Sequence, residues 1–457
     1  MTWRLQSTIL LFGGLRRVSG SSRQPSTAEV SVWRDPRVLC LCMSTGCMML
    51  GHGVATPIVP MLSQSMDASA SAVGLALSAF GVSRLALNVP VGIAADRFGR
   101  KACLVGGALI NAVGMAASGF APDMTWFTAA RVIAGAGNSL YLGSAQVYLA
   151  DIADSSRRGR FLGANHAALL AGVSVGPALG GLCAEAFGLR APFVAVSVLA
   201  VASAATSAVL LGETRPVAEP RRKGEDDPPR DGWLSIVLDP RFASVGLAQF
   251  ATFALRQGGR NLILALIASE VFEYSPADLG RLFGAMALVD LVAVAPAAAL
   301  SDKVNDPRLI VFPSLMGTAM AVAFVGATAV EGAAFSHALF LAGVGCWSLS
   351  TACLGPTLPA YASELAPRRR AASISLFRSC GDLGFVVAPV VLGAIVDTAG
   401  PQIASAALAA TVSASAFTFA AFGRAVDPVP APAQTSPPRA SPRLGSPTSL
   451  SPGRTPR

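Results

Sequence analysis

Gly92-Ile-Ala-Ala-Asp96-Arg97-Phe-Gly99-Arg100-Lys101 is the stretch that decides how this chain is read. A mostly apolar run, 71–91, precedes it, and another, 102–121, follows. At about 1.5 Å of helical rise per residue, each run can cross a hydrocarbon core about 30 Å thick. The charged decapeptide is then a tight turn between two membrane spans. Read minimally, its bases only fix the topology.

Composition agrees. Hydrophobic residues are 53% of the 457 and charged residues 13%, against about 25% charged in soluble proteins. Mean hydropathy is +0.55. The net charge of +9 does not mark a nucleic-acid partner, because the bases cluster in short loops between spans, the positive-inside pattern. The eight cysteines lack metal-ligand spacing and have three histidines to help them, so they read as small buried hydrophobes. There is no Walker loop, metal cluster or convincing Ser/His/Asp set. No enzyme, cofactor or metal is expected.

Hydropathy places twelve spans near 37–60, 71–95, 102–121, 124–150, 161–187, 190–212, 240–268, 276–301, 308–328, 334–362, 371–396 and 400–423. Bases collect in the loops after spans 2, 4, 6, 8 and 10; the loops after spans 1, 3, 7, 9 and 11 have none. Arg190 and Arg281 strain the rule. Both termini are therefore expected on the cytoplasmic side of a plasma membrane or an organellar envelope such as a plastid's. Residues 1–36 read equally as a basic tail or as a transit peptide, since 1–28 hold four arginines, five serines and no acid. The expected units are a six-helix half at 37–212, a linker at 213–238, a second half at 239–424 and a disordered Pro/Ser-rich tail at 425–457.

The halves echo each other. Pro90 and Asp96 correspond to Pro296 and Asp302, and Tyr148/Asp151 to Tyr361/Glu364. Gly172, Pro177 and Gly181 correspond to Gly384, Pro389 and Gly393, and every offset lies between 206 and 213 residues. The second half is degenerate in the loop: Ala298 stands where the first has Gly92, and nothing after Lys303 repeats Gly-Arg-Lys.

The loop spacing Gly-x-x-x-Asp-Arg-x-Gly-Arg-Lys resembles the signature between helices 2 and 3 of the major facilitator superfamily of secondary transporters. Span 5 carries Gly163, Gly172, Gly176-Pro177 and Gly180-Gly181, which resembles the antiporter motif of the superfamily's twelve-span drug:proton antiporters. Span 4 carries Arg131-x-x-x-Gly135-x-Gly137, similar to the family's fourth-helix motif, whose arginine is associated with proton transfer. The resemblance covers roughly 37–424 and implies an all-α membrane protein: twelve transmembrane helices in two pseudo-symmetric six-helix halves, working by alternating access. Each motif also has a plainer reading: close helix packing for the glycines, an arginine snorkelling to the interface for Arg131.

Charges inside the spans cost at least about 2.5–3.5 kcal/mol unless paired or hydrated, so they are candidates for function. Arg84 and Asp290 each sit twelve residues before a span-ending aspartate, about 18 Å from that face. Asp382 has a similar depth in span 11. Arg256 and Arg260 share a helical face in span 7. The family architecture brings spans 2 and 11 together, so Arg84 is expected to pair with Asp382, with Arg378 as its alternative partner. Arg256 is expected to pair with Asp290. His166 reads as a packed or interfacial histidine. Asp96 is expected to lie against the start of span 11, stabilised by that helix's dipole.

The resemblance implies a transporter in a lipid bilayer, expected to be a monomer, that exchanges a small organic solute for protons in the export direction. The alternatives are a symporter or uniporter of the same fold, or a transporter-like sensor. The excess of intramembrane arginine favours an anionic or zwitterionic solute.

Overall fold

A computed structural model describes residues 35–153, 158–214, 236–304, 306–329, 336–365 and 370–424, and among them there are helices and no strand. The leader, most of the linker, the tail, the surroundings of Gly92 and the side chain of Asp302 lie outside the described residues.

Among the described residues the chain makes twelve helical rods. The first six are α1 (Pro36–Gln64), α2 (Ala70–Phe98), α3 (Arg100–Phe120), α4 (Met124–Ile152), α5 (Arg158–Phe187) and α6 (Ala191–Leu210). α7 runs through Pro240–Ala254, a π-helical segment Leu255–Leu264, and Ala265–Glu270. α8 is Pro276–Lys303 and α9 is Arg308–Ala327. α10 is broken into Ser336–Ala352 and Leu354–Leu365. The last helical run, Arg370–Phe422, turns at Gly400, which separates α11 (370–399) from α12 (401–422).

Local sequence explains the ends. Asp35-Pro36-Arg37 and Asp239-Pro240-Arg241 start α1 and α7 in the same way. The aspartate accepts from the backbone N–H two residues on, at 2.9 and 2.8 Å, and proline fills a position whose N–H would have no partner. Asp306 does the same for Arg308 before α9, and the Arg308 guanidinium hydrogen-bonded to it holds its carboxyl below the usual carboxylate range. Two of the turns that need glycine repeat each other. Gly188 (φ 90°) joins α5 to α6 and Gly400 (φ 86°) joins α11 to α12, at the same offset as Pro177 and Pro389.

Among the described residues eight stretches are long and apolar enough to cross a membrane, and one, 373–422, runs through most of α11 and all of α12. α4, α7 and α8 fall short of that measure, and these helices carry Arg131, Arg256, Arg260 and Asp290. The rods also expose Phe120, Trp126, Phe187 and Val209, apolar surface that a bilayer covers and water would not. The protein is an all-α, multi-pass membrane protein.

α1–α6 form one half and α7–α12 the other, and the halves meet along α2 with α11 and α5 with α8. The glycines make this geometry possible, because a Cβ on Gly74 would stand 2.7 Å from the Pro389 carbonyl carbon, and one on Gly280 would stand 2.8 Å from the Pro177 carbonyl oxygen. The two contacts are equivalent under the repeat.

Candidate functional site

The end bearing Arg97, Arg100 and Lys101 is called the basic end below. Among the described residues, hydrogen bonds that join the halves lie at mid-helix and towards the opposite end. There the Asp397 carboxylate accepts from Ala70 N at 2.7 Å and Ser71 N at 2.9 Å, so α11 caps the first turn of α2. Gln64 donates to Ser269 and Glu270, each at 3.2 Å. Deeper in, the Ser78 hydroxyl donates to the Val386 carbonyl at 2.6 Å. Deeper still lies the ion pair of Arg84 with Asp382. The seam is sealed at the end away from the basic loop.

The span-5 glycines divide by task. A Cβ on Gly172, Gly176 or Gly180 would press on α1, at 3.0 Å from Leu50 N, 2.7 Å from Gly53 Cα and 2.9 Å from Val54 Cα respectively. Gly181 faces the other half, where its Cβ would stand 2.9 Å from Gly280 Cα. Pro177 lies within α5, and its carbonyl is the one Gly280 meets. Gly163 has nothing within 4 Å, so it takes no part in this packing. The second half mirrors the arrangement, with Gly384 against Phe250 of α7 and Gly393 against Ser71 of α2.

The intramembrane charges separate into two pairs and three arginines outside them. Arg84 reaches Asp382 across the seam and lies over the Phe385 ring, 5.6 Å from its centroid. Arg378, the alternative partner, is exposed, and the ion pair of Asp382 is with Arg84. Asp290 pairs with Arg260 at 2.9 Å and not with Arg256; a second Arg260 nitrogen donates to the Phe283 carbonyl at 3.2 Å. The expectation for Arg256 fails because residues 255–264 are wound as a π-helix, whose wider turn redistributes the two arginines. Arg256 is exposed into a cavity of about 200 Å³ bounded by α7, α8, α10 and α11. Arg131 is 2% exposed, so it does not snorkel; it faces the Phe80 ring at 4.9 Å and donates to Met115 Sδ at 3.6 Å. Among the described residues no carboxylate pairs with it.

His52, on α1, went unnoticed in the sequence. Its ring stacks on Phe80 at 5.1 Å and lies 5.8 Å from Phe385, which places it between the rings that hold Arg131 and Arg84. The available signal was a histidine at mid-span between Gly51 and Gly53. His166, by contrast, is exposed.

The basic loop is held by its own half. Gly99 has φ 95°, ending α2 and starting α3 with one residue. Arg100 is buried and pairs with Asp96 at 3.0 Å and Asp151 at 2.9 Å. The Glu213 carboxylate caps α3, accepting from Arg100 N at 2.9 Å and Lys101 N at 3.3 Å. Asp96 therefore turns to its own loop, its side chain 73% exposed. Arg97 is exposed and lies over the Phe98 ring at 5.5 Å. Glu213, 113 residues from Arg100, could not be matched to the loop by spacing.

Comparison with known proteins fits this geometry. The sequence model of the Major Facilitator Superfamily matches residues 41–354 and again 250–453. Multidrug resistance protein 2 of Bacillus subtilis is 26% identical over 352 residues, covering 76% of this chain and 86% of that protein. The multi-drug resistance efflux pump PmrA of Streptococcus pneumoniae is 24% identical over 359 residues, with the same coverages of 76% and 86%. Among solved structures, an inward-facing, occupied bacterial homologue of the human lysosomal transporter Spinster superposes with a TM-score of 0.68 at 16% identity, over 86% of this chain and 96% of that one. With a family match across most of its length, a helical fold that superposes on a solved transporter and a repeat visible in its own sequence, this chain belongs to the major facilitator superfamily of membrane transporters.

Proposed function

We propose that the protein is a proton-coupled exporter that exchanges a small organic solute for protons by alternating access. The observation that carries the proposal is the Arg84–Asp382 pair, a titratable carboxylate at mid-membrane bound across the seam between the halves. A proton on Asp382 removes its charge and with it the attraction that holds α2 to α11 at that depth. A solute competing for the same balance of charge exchanges with the proton. Arg260–Asp290 is a second such pair within the second half. The glycine packing of α5 on α1 and α8 and the relatives named as multidrug pumps support the outward direction.

In this reading the protein is a monomer whose termini both face the cytoplasm. A seam sealed opposite the basic loop is then the inward-facing state. Asp96 meets the start of α11 only in the outward-facing state, and its exposure here agrees with that.

The test is reconstitution in liposomes with a pH gradient and candidate solutes. Solute movement against the proton gradient is expected, and Asp382→Asn or Asp290→Asn should abolish proton-driven transport while leaving proton-independent counterflow. If both activities survive in both variants, neither carboxylate is the coupling group. Solute and proton moving in the same direction would make the protein a symporter, and ligand binding without any flux would make it a sensor.

A further inference from the structure

We infer that the cavity of the second half binds a small organic monoanion, with Arg256 as its anchor. The inference rests on the transporter reading and names the class of its solute. Within the cavity wall the charges do not cancel. Arg260 and Asp290 neutralise each other at 2.9 Å, but Arg256 makes no hydrogen bond or ion pair among the described residues, leaving one positive charge facing the space. A guanidinium presents five N–H donors in a planar fork that matches a carboxylate. Arg256 is exposed to the cavity, so its donors are free to take an anion that enters it.

The rest of the wall fixes the character of the anion. Trp347 and Phe377 supply apolar surface, and Thr252 supplies a hydroxyl. The Trp347 ring lies against Gly259, where a Cβ would stand 2.9 Å from it, so the π-helical segment that presents Arg256 also seats the indole. The volume of about 200 Å³ leaves room for one compact ring system. With Asp290 neutralised by Arg260, the wall carries a single net positive charge, which matches one negative charge on the ligand. The fit is to a monocarboxylate on an aromatic body.

Equilibrium binding to the purified full-length protein tests this, using 2-naphthoate, its neutral isostere 2-naphthamide and the cationic 2-naphthylmethylammonium. The naphthoate should bind at least tenfold tighter than either isostere, and Arg256→Gln should remove that preference. Arg281→Gln, an exposed position paired with Asp278, should keep it, and Arg256→Lys should retain part of it. Thermal melts of each variant identify any that fail to fold. Equal or tighter binding of the amide or the ammonium, a preference that survives in Arg256→Gln, or no binding of the naphthoate would overturn the inference. Binding needs no transport, so naphthoate binding without flux would leave the inference standing and remove the transporter reading. Flux of solutes indifferent to Arg256→Gln would do the reverse.

Discussion

Arg84 and Asp382 carry the sharpest energetic statement at the scale of single residues. The Asp382 side chain is 8% exposed and Arg84 is its ion-pair partner. Removing either partner of such a pair strands the other in a poorly solvated place, at about 3–5 kcal/mol. Arg84→Ala and Asp382→Ala should each lower the unfolding temperature strongly, and the double variant should lose less than the two losses added. Additive shifts in a thermal melt would mean that the two charges are stabilised separately. Counting residues from the span ends put Arg84 and Asp382 at one depth, but it was the family resemblance that brought their spans together, and Arg378 stood as an alternative partner. The partner of Asp290 was not legible, because Arg256 and Arg260 were read on one face of span 7 and spacing could not choose between them; in the structure both lie in a π-helical segment.

At the scale of elements, two contacts depend on a missing Cβ. Gly99 holds φ 95° between α2 and α3, and its Cβ would stand 2.5 Å from the Glu213 carboxylate. Gly99→Ala imposes a backbone conformation that costs about 1–3 kcal/mol for other residues, and it pushes away the acid that caps α3. Thermal unfolding in detergent should show the loss, and Glu213→Gln, which keeps the shape, should show a smaller one. Gly280 is the α8 side of the α5–α8 contact, 2.8 Å from Cβ to the Pro177 carbonyl oxygen. Gly280→Val cannot be accommodated while that end is sealed, so it should shift the population towards the state open there. Labelling of a cysteine introduced at the buried Ala277 should rise; unchanged labelling would mean the seal does not depend on this contact. The sequence displayed these glycines as a motif, yet only the packing showed that Gly163 stands apart from it.

For the whole molecule, the question is what biases one state over the other. A contact shifts the equilibrium only by what it contributes in one state and not in the other. Asp397 makes such a contact, accepting two backbone N–H groups of α2 from the far end of α11. Losing a helix cap costs about 0.5–2 kcal/mol. Asp397→Ala should therefore favour separation of the halves at that end, seen as longer distances between spin labels on α2 and α11. A distance distribution like that of the unmutated protein would show that the cap is not part of the seal.

Hydropathy and loop charge by themselves determined the all-α membrane class and the approximate positions of the spans. Internal similarity determined the two-fold arrangement of halves, because apolar length, basic loops and repeat spacing are all properties of the chain read along its length. The tertiary structure decided which charges meet. Glu213 caps α3 from 113 residues away, Arg260 takes Asp290 in place of Arg256, and His52 fits between Phe80 and Phe385. Side chains find their partners across helices, and the rotation of each helix, including the local π winding of α7, depends on what it packs against. Depth along the membrane can be counted in residues, but facing cannot.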